Sequence, residues 1–399
     1  MTIRALHLVK TSDGALWAAR QAEILARFGV EVHVAVPFRA GAAIPFWRKA
    51  GATIHVVNLD LPAKRPWAIP AMCAAARSLV DHVRPDIIHS HFVSTTLLLR
   101  LALGRNHPVP RIFQVPGPLH LEHAATRTAE ICSSAANDYW IGSSGCIKRH
   151  YLEAGVSPAR VFLSYYGLPL QAASRNGYLR ERLGIADSTK IVGNINLIYP
   201  PKRFLGQRVG VKCHEDAIDA LGAVLRVRAD VIGVLIGATF GTTDTRYERE
   251  LRRRAADVGR GRIVMPGYFD ASEVQWSWPD FDCAVHVPIS ENCGGVIESL
   301  MAGVPTIASR TGGLPEVVID GVTGLSVPVR NPSAIASAVL KVFGNSEHYA
   351  RLAANGQRLV RSMFDIERTG SEIAQIYRHI LEGASRPPDF FSGSVLDRA

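Results

Sequence analysis

Short apolar runs of strand length alternate with helix-period segments along this 399-residue chain, and that alternation restricts the fold more than any other feature. Strand-like runs fall at Ala5 to Val9, Glu31 to Val36, Thr53 to Val57, Asp86 to His89, Arg111 to Val115 and Tyr139 to Ile141. Stretches such as Ala15 to Phe28 and Ile69 to Val83 carry the helical period between them. Parallel strands need long crossovers and helices supply them, so the pattern predicts an α/β fold with a mainly parallel sheet covered by helices. A second series begins after about residue 185, with strands at Lys190 to Asn194, Val231 to Ile236, Arg262 to Met265, Cys283 to Val287 and Thr306 to Ser309. Polar residues and turn formers with weaker periodicity fill Leu168 to Ser188, which places the domain boundary there. The length suits two domains, and no internal repeat or low-complexity tract is evident. The tail Arg386 to Ala399, with Pro387 and Pro388, reads as an irregular extension.

Ligands of doubly wound sheets bind outside the carboxyl ends of the strands, so the loops there carry the functional reading. Ser290 to Glu298, with Gly294 and Gly295 at its centre, joins an apolar strand to the first turns of a helix. Backbone N–H groups at such a junction favour an anion, and glycine lets a phosphate approach closely. Carboxylates beside it suit hydroxyls instead, so Glu291 and Glu298 read as acceptors for sugar and ribose hydroxyls flanking a diphosphate. The alternative is a glycine-rich turn with solvated glutamates. The segment Lys10 to Trp17 has the same strand, loop, helix order, so Gly14 either offers backbone donors to a ligand or makes the turn into the helix.

The formal charge of +10 admits nucleic acid, an anionic membrane face or phosphorylated small molecules as partners. Nucleic acid is the weakest of these, because the basic cluster Arg246 to Arg254 interleaves Glu248 and Glu250 and reads as a solvated helix face. Six cysteines form no C-x-x-C pair, which indicates neither a zinc site nor a disulfide framework, and Cys293 beside the glycine loop reads as a packing residue. No apolar run is long enough to span a membrane, and the first residues lack a signal-peptide h-region. The cytosol is the expected location, with peripheral contact at the cytoplasmic membrane face as an option.

The segment ENCGGVIESLMAGVPTIASRTGGLPEVVIDGVTGLSVP, at the end of the chain's second strand series, resembles the retaining glycosyltransferases of family 4, which have the two-domain GT-B fold. Weaker likeness covers the opening HLVKTSDGALWAARQAEILARFGVEVHVAVP, the RPDIIHSH segment and KCHEDAIDA. The resemblance implies two Rossmann-like domains facing across a cleft, at 1–170 for the acceptor and 185–365 for the nucleotide-sugar. It also implies that 366–399 comprises a C-terminal helix returning to the first domain plus the tail. The implied activity is transfer of a sugar from a nucleotide diphosphate-sugar to an acceptor hydroxyl, with the anomeric configuration kept. By analogy Glu291 meets the transferred sugar, Glu298 the ribose, and Lys212 the leaving diphosphate, where a fixed cation would stabilise the charge that develops as the glycosidic bond breaks.

Two departures from the family pattern stand out. Six residues separate Glu291 from Glu298, one fewer than the family's usual spacing. Asn194 stands where an arginine is expected, and an apparent insertion, PPKRFLGQRVG, precedes Lys212. Lys202, Arg203 or Arg208 could supply that charge from the insertion, or be solvated loop residues. Asn292 and Glu316 are further donor-side candidates. His120 is the catalytic candidate from the first domain, and His91, with Gly14, the acceptor-side candidate; His89 flanks the same strand end. No Asp-x-Asp motif marks a Mg²⁺ site, so no metal and no cofactor is expected. The expected acceptor is lipid-linked or phosphorylated, in cell-surface polysaccharide or glycolipid synthesis. The alternatives are glycosylation of a small metabolite, nucleotide-sugar epimerisation on the same fold, and a non-catalytic nucleotide-sugar-binding subunit.

Overall fold

A computed structural model describes residues 2–62, 65–169, 174–203, 206–239, 244–383 and 388. The chain forms two compact units, Met1–Leu170 with Met363–Ser394, and Gln171–Ser362.

In the first unit, strands β1 (Ile3–Leu8), β2 (Val30–Val36), β3 (Thr53–Val56), β4 (Ile87–Ser90), β5 (Arg111–Val115), β6 (Asp138–Gly142) and β7 (Val161–Leu163) form a parallel sheet in the order 3-2-1-4-5-6-7. The order reverses beside β1, where β1 pairs with both β2 and β4. Alternation along β1 divides its side chains between two cores. Ile3 and Ala5 pack with the helices Leu16–Arg27 and Ile366–Glu382, whereas Leu6 and Leu8 pack with the helix Ile69–Val83.

The helix Ile366–Glu382 is amphipathic, starts on an Asp365 cap that accepts from Arg368 N, and ends at Gly383 in the left-handed region. Gly370 lets it press on Ile24, since a Cβ there would overlap the isoleucine side chain. Within the same unit Glu372 accepts from Ser164 at 2.7 Å, so the late helix is fastened to the first sheet. Across the sheet, Arg100 donates to Glu130 at 2.7 Å and to Asp138 at 3.1 Å. Arg111 donates to the other Asp138 oxygen at 2.7 Å, and all four groups are buried.

The second unit carries β8 (Lys190–Ile195), β9 (Val231–Ile236), β10 (Ile263–Gly267), β11 (Cys283–His286), β12 (Thr306–Ser309) and β13 (Leu325–Val327), parallel in the order 10-9-8-11-12-13. Helices His214–Val227 and Pro332–Gly344 cover one face, packed on Val192, Leu235, Val285 and Ile307. Trp278, Phe281 and Ile236 help fill the other. The basic segment at Arg246 heads a helix, Arg246–Gly259, closed at its start by a Thr245/Glu248 capping box.

Sequence patterning missed β7 and β13, each three residues long. The expected irregular tail lies outside the described residues except for Pro388, as do 170–173 of the linker and Phe204 and Leu205 of the insertion. Among the described residues no helix is long and apolar enough to cross a membrane.

Candidate functional site

The reversal of strand order in the second unit falls between β8 and β11, and a pocket opens at their carboxyl ends. Asn196, Lys212, His286, Pro288, Glu291, Gly295, Val296 and Leu314 line it. Lys212 reaches it from the turn before the helix His214–Val227, and its ammonium is ion-paired with Glu291 Oε2. The other Glu291 oxygen accepts from Asn292 N at 3.1 Å, so the carboxylate folds back across its own loop and lies against Gly294.

Backbone contacts fix the two loops to each other. Ile289 N donates to Val211 O at 2.9 Å, one residue before Lys212. Ser309 and Thr311 hydroxyls donate to the carbonyls of Pro288 and Ile289 at 2.7 and 3.0 Å. Gly313 N donates to Glu291 O at 3.2 Å, and neighbouring Gly312, with φ of 53°, leaves no room for a Cβ against that carbonyl. On the Lys212 side, Gly210 is pinched between Tyr199 O and the Tyr247 hydroxyl. That hydroxyl accepts from Gly210 N at 3.0 Å and donates to Glu215 at 2.7 Å. The charged pair is therefore presented by a rigid frame, the condition for electrostatic work on a bound anion.

Glu298 lies in the helix Val296–Met301 and is exposed, with the buried Trp278 indole N–H donating to its Oε2 at 3.2 Å. His286 is fully buried at the end of β11 with its Nε2 3.2 Å from Ser299 Oγ. Burial, and then the nearby Lys212 charge, push this ring down to about 3, so it is neutral at pH 7. Ser299 and Thr306 hydroxyls have carbonyl acceptors at Val296 and Val304, so His286 Nε2 carries the proton toward Ser299 and Nδ1 keeps its lone pair. Burial likewise raises the Cys213 thiol to about 12, which makes it an inert neighbour of Lys212.

The other sequence candidates are placed differently. Asn194 is buried in β8 with its amide on Val285 O at 3.2 Å, so it faces strand backbone and does not stand in for an arginine; Asn196 lines the pocket. Lys202, Arg203 and Arg208 are exposed and are not among the pocket-lining residues. Glu316 ends a short 3-10 turn, and it is Leu314 from that turn that reaches the pocket. Gly294 is exposed, and Gly295 lines the pocket.

In the first unit Gly14 N already donates to Thr11 Oγ1 at 3.2 Å, and Ala15, with φ of 61°, makes the turn into the helix, the second of the two readings of this glycine. His91 has no exposed surface, and bonding to His7 and Tyr166 takes it out of direct acceptor contact. His120 is half-buried, 3.2 Å from the Tyr151 hydroxyl, and burial lowers it to about 4. Asn196, His286, Leu314 and Trp278 were not singled out from sequence. The signal for Asn196 and His286 was their position at the carboxyl ends of the two strands that flank the reversal.

Two family models match the chain, glycosyl transferases group 1 over residues 203–359 and the glycosyl transferase 4-like domain over residues 15–167. A D-inositol 3-phosphate glycosyltransferase of Nocardioides sp. is 34% identical over 356 residues, 82% of this chain and 74% of the relative. A glycogen synthase of Mycobacterium tuberculosis is 25% identical over 312 residues, 76% of this chain and 71% of the relative. Among solved structures, Anabaena Alr3699/HepE in complex with UDP-glucose superposes with a TM-score of 0.76 at 19% identity, covering 94% of this chain and 98% of that one. Sucrose-phosphate synthase of Thermosynechococcus elongatus also gives 0.76 at 19% identity, covering 96% and 100%. With both halves matched and the two parallel-sheet units in place, the chain belongs to the group 1 glycosyl transferases of GT-B fold.

Proposed function

We propose that this glycosyltransferase moves a sugar from a nucleotide diphosphate-sugar to an acceptor hydroxyl with retention of configuration. The observation that carries the reading is the paired Lys212 and Glu291 on a rigid loop frame at the carboxyl ends of β8 and β11. Lys212 holds the diphosphate, and Glu291, released from the lysine when the phosphate arrives, accepts a hydroxyl of the transferred sugar. Glu298, steadied by Trp278, accepts the ribose hydroxyls. The anomeric C–O bond to the phosphate breaks, the acceptor oxygen bonds the same face of that carbon, and the acceptor proton passes to the departing phosphate oxygen. Lys212 stabilises the charge gained by that oxygen, so the step needs neither a dedicated protein base nor a divalent ion at the diphosphate.

UDP-glucose in the Anabaena structure makes uridine diphosphate-sugars the first donors to try. The acceptor is a lipid-linked or phosphorylated molecule met in the cytoplasm or at the cytoplasmic membrane face, in line with the charge of +10. Glycosylation of a small metabolite, with no cell-surface polymer or lipid involved, is the second reading, favoured by the likeness to an inositol phosphate glycosyltransferase. A donor panel paired with both acceptor classes, followed by proton NMR of the fresh product, tests the proposal. Retention predicts the donor's anomeric configuration in the product, and the opposite anomer contradicts it.

A further inference from the structure

His7 on β1 and His89 on β4 lie side by side in register, and His91 follows one residue past the end of β4. The three rings are packed together: His89 and His91 stack at 4.3 Å between centroids, and His7 lies 5.0 and 5.3 Å from them. None has exposed surface. One nitrogen from each ring lies within 4.8 Å of the others.

The remaining nitrogens are held from outside the cluster. His91 Nδ1 is 3.0 Å from the Tyr166 hydroxyl, which itself donates to Gln114 O at 3.1 Å and so must accept from the histidine. His89 Nδ1 is 2.6 Å from the Tyr377 hydroxyl, and His7 Nε2 is 3.3 Å from the same oxygen. That leaves His7 Nδ1 and His91 Nε2 facing each other, with His89 Nε2 as the remaining nitrogen of the third ring. Such an arrangement, each imidazole fixed through its outer nitrogen, is how proteins orient histidines around a metal.

The inner nitrogens are poorly served by protein alone. His7 Nδ1 and His91 Nε2 are 3.0 Å apart and share one proton, while His89 Nε2 is buried without a well-formed hydrogen bond. The buried Gln114 amide lies close enough to act on His89 as a hydrogen-bond partner, but in a geometry short of a well-formed bond. Buried polar groups left this way cost roughly 1–3 kcal/mol each. A tetrahedral ion with metal–nitrogen bonds of about 2.0–2.1 Å needs ligand edges of about 3.3 Å, close to the His7–His91 separation.

We propose that His7, His89 and His91 bind one borderline divalent transition ion, Zn²⁺, as a structural clamp inside the first unit. The ion takes the place of the proton between His7 and His91 and engages His89 Nε2; His7 then carries its proton on Nε2, toward the Tyr377 oxygen. Three imidazoles suit Zn²⁺, and a hard ion such as Mg²⁺ prefers oxygen ligands. Through Tyr377 the clamp joins β1 and β4 to the helix Ile366–Glu382, the earliest strand to the latest helix.

The test uses tag-free, full-length protein, stripped with a chelator and then equilibrated with Zn²⁺ or Co²⁺ alone. The expected result is about one equivalent of Zn²⁺ per chain retained through gel filtration, a raised melting temperature, and the visible bands of a tetrahedral nitrogen-ligated Co²⁺. His91→Gln should abolish the stoichiometric binding, and Tyr377→Phe, which keeps the ring in place, should weaken it about 10–100-fold. If His91→Gln does not fold, the wild-type Co²⁺ spectrum and the Tyr377→Phe affinity decide. Wild-type protein that retains no Zn²⁺ and shows no melting shift overturns the proposal, and so does Zn²⁺ binding that His91→Gln and Tyr377→Phe leave unchanged.

Discussion

Lys212 and Glu291 are ion-paired to each other, with side-chain exposures of 15% and 17%, at the place the proposed function gives to the donor diphosphate and its sugar. The carboxylate thus competes with a phosphate for the same ammonium. Glu291→Gln removes that competitor while keeping the shape. It should tighten binding of the nucleoside diphosphate by about three- to tenfold, roughly 1 kcal/mol as for a partly exposed ion pair, while lowering turnover. Calorimetric titration of the diphosphate checks the first part and steady-state kinetics the second.

Trp278 positions Glu298 through a 3.2 Å indole bond. Trp278→Phe keeps most of the buried ring but removes the N–H; a hydrogen bond to a charged group is worth about 1.5–3 kcal/mol, and the lower part of that range applies to the exposed Glu298 carboxylate. The donor KM should rise about five- to thirtyfold with a smaller change in kcat. Equal loss in kcat and kcat/KM would place Glu298 at the transition state instead.

The first unit depends on a buried ionic network rather than on apolar packing alone. Asp138 accepts from Arg100 and Arg111 with its side chain 1% exposed, and Ala135 N also donates to it at 2.6 Å. Asp138→Asn leaves two guanidinium groups without their shared counter-charge, a change expected to cost about 3–5 kcal/mol. Urea unfolding should show the loss, and the second unit should still bind nucleotide.

Stability should fall with acid below the ordinary histidine range. Burial lowers His286 from 6.5 to about 3 and His214 to about 4. Between pH 6.5 and those values the unfolded chain takes up protons that the folded chain refuses, so unfolding becomes more favourable as pH drops, and the effect levels off below the folded values. At full shift the contribution of each is on the order of a few kcal/mol. His286→Gln should therefore lose less stability between pH 7 and pH 5 than the wild type, as urea midpoints at the two values will show.

Fold and site differ in how much the sequence reveals. Strands such as β1 and β11 are largely buried and mostly apolar, and long helices such as Ile69–Val83 carry an unbroken period. Three-residue strands carry too little pattern, and β7 and β13 acquire their pairing only from neighbours. The Gly294-Gly295 loop was legible because its residues are contiguous. Asn196, His286 and Trp278 come from three separate strand or turn ends, and only the crossing of β8 beside β11 gathers the first two. His89 and His91 stand two apart and share a face, but their partner His7 lies on another strand and Tyr377 far down the chain, so the cluster exists only in three dimensions.

Release of nucleoside diphosphate from a single nucleotide-sugar by the wild type and by Lys212→Ala tests the central claim most directly. Loss of one preorganised cation at a developing oxyanion should lower kcat by about 10²–10³-fold, with the fold unchanged by circular dichroism. Lys212→Ala that turns over at the wild-type rate would contradict the assignment of the β8–β11 pocket as the place where the sugar–phosphate bond breaks.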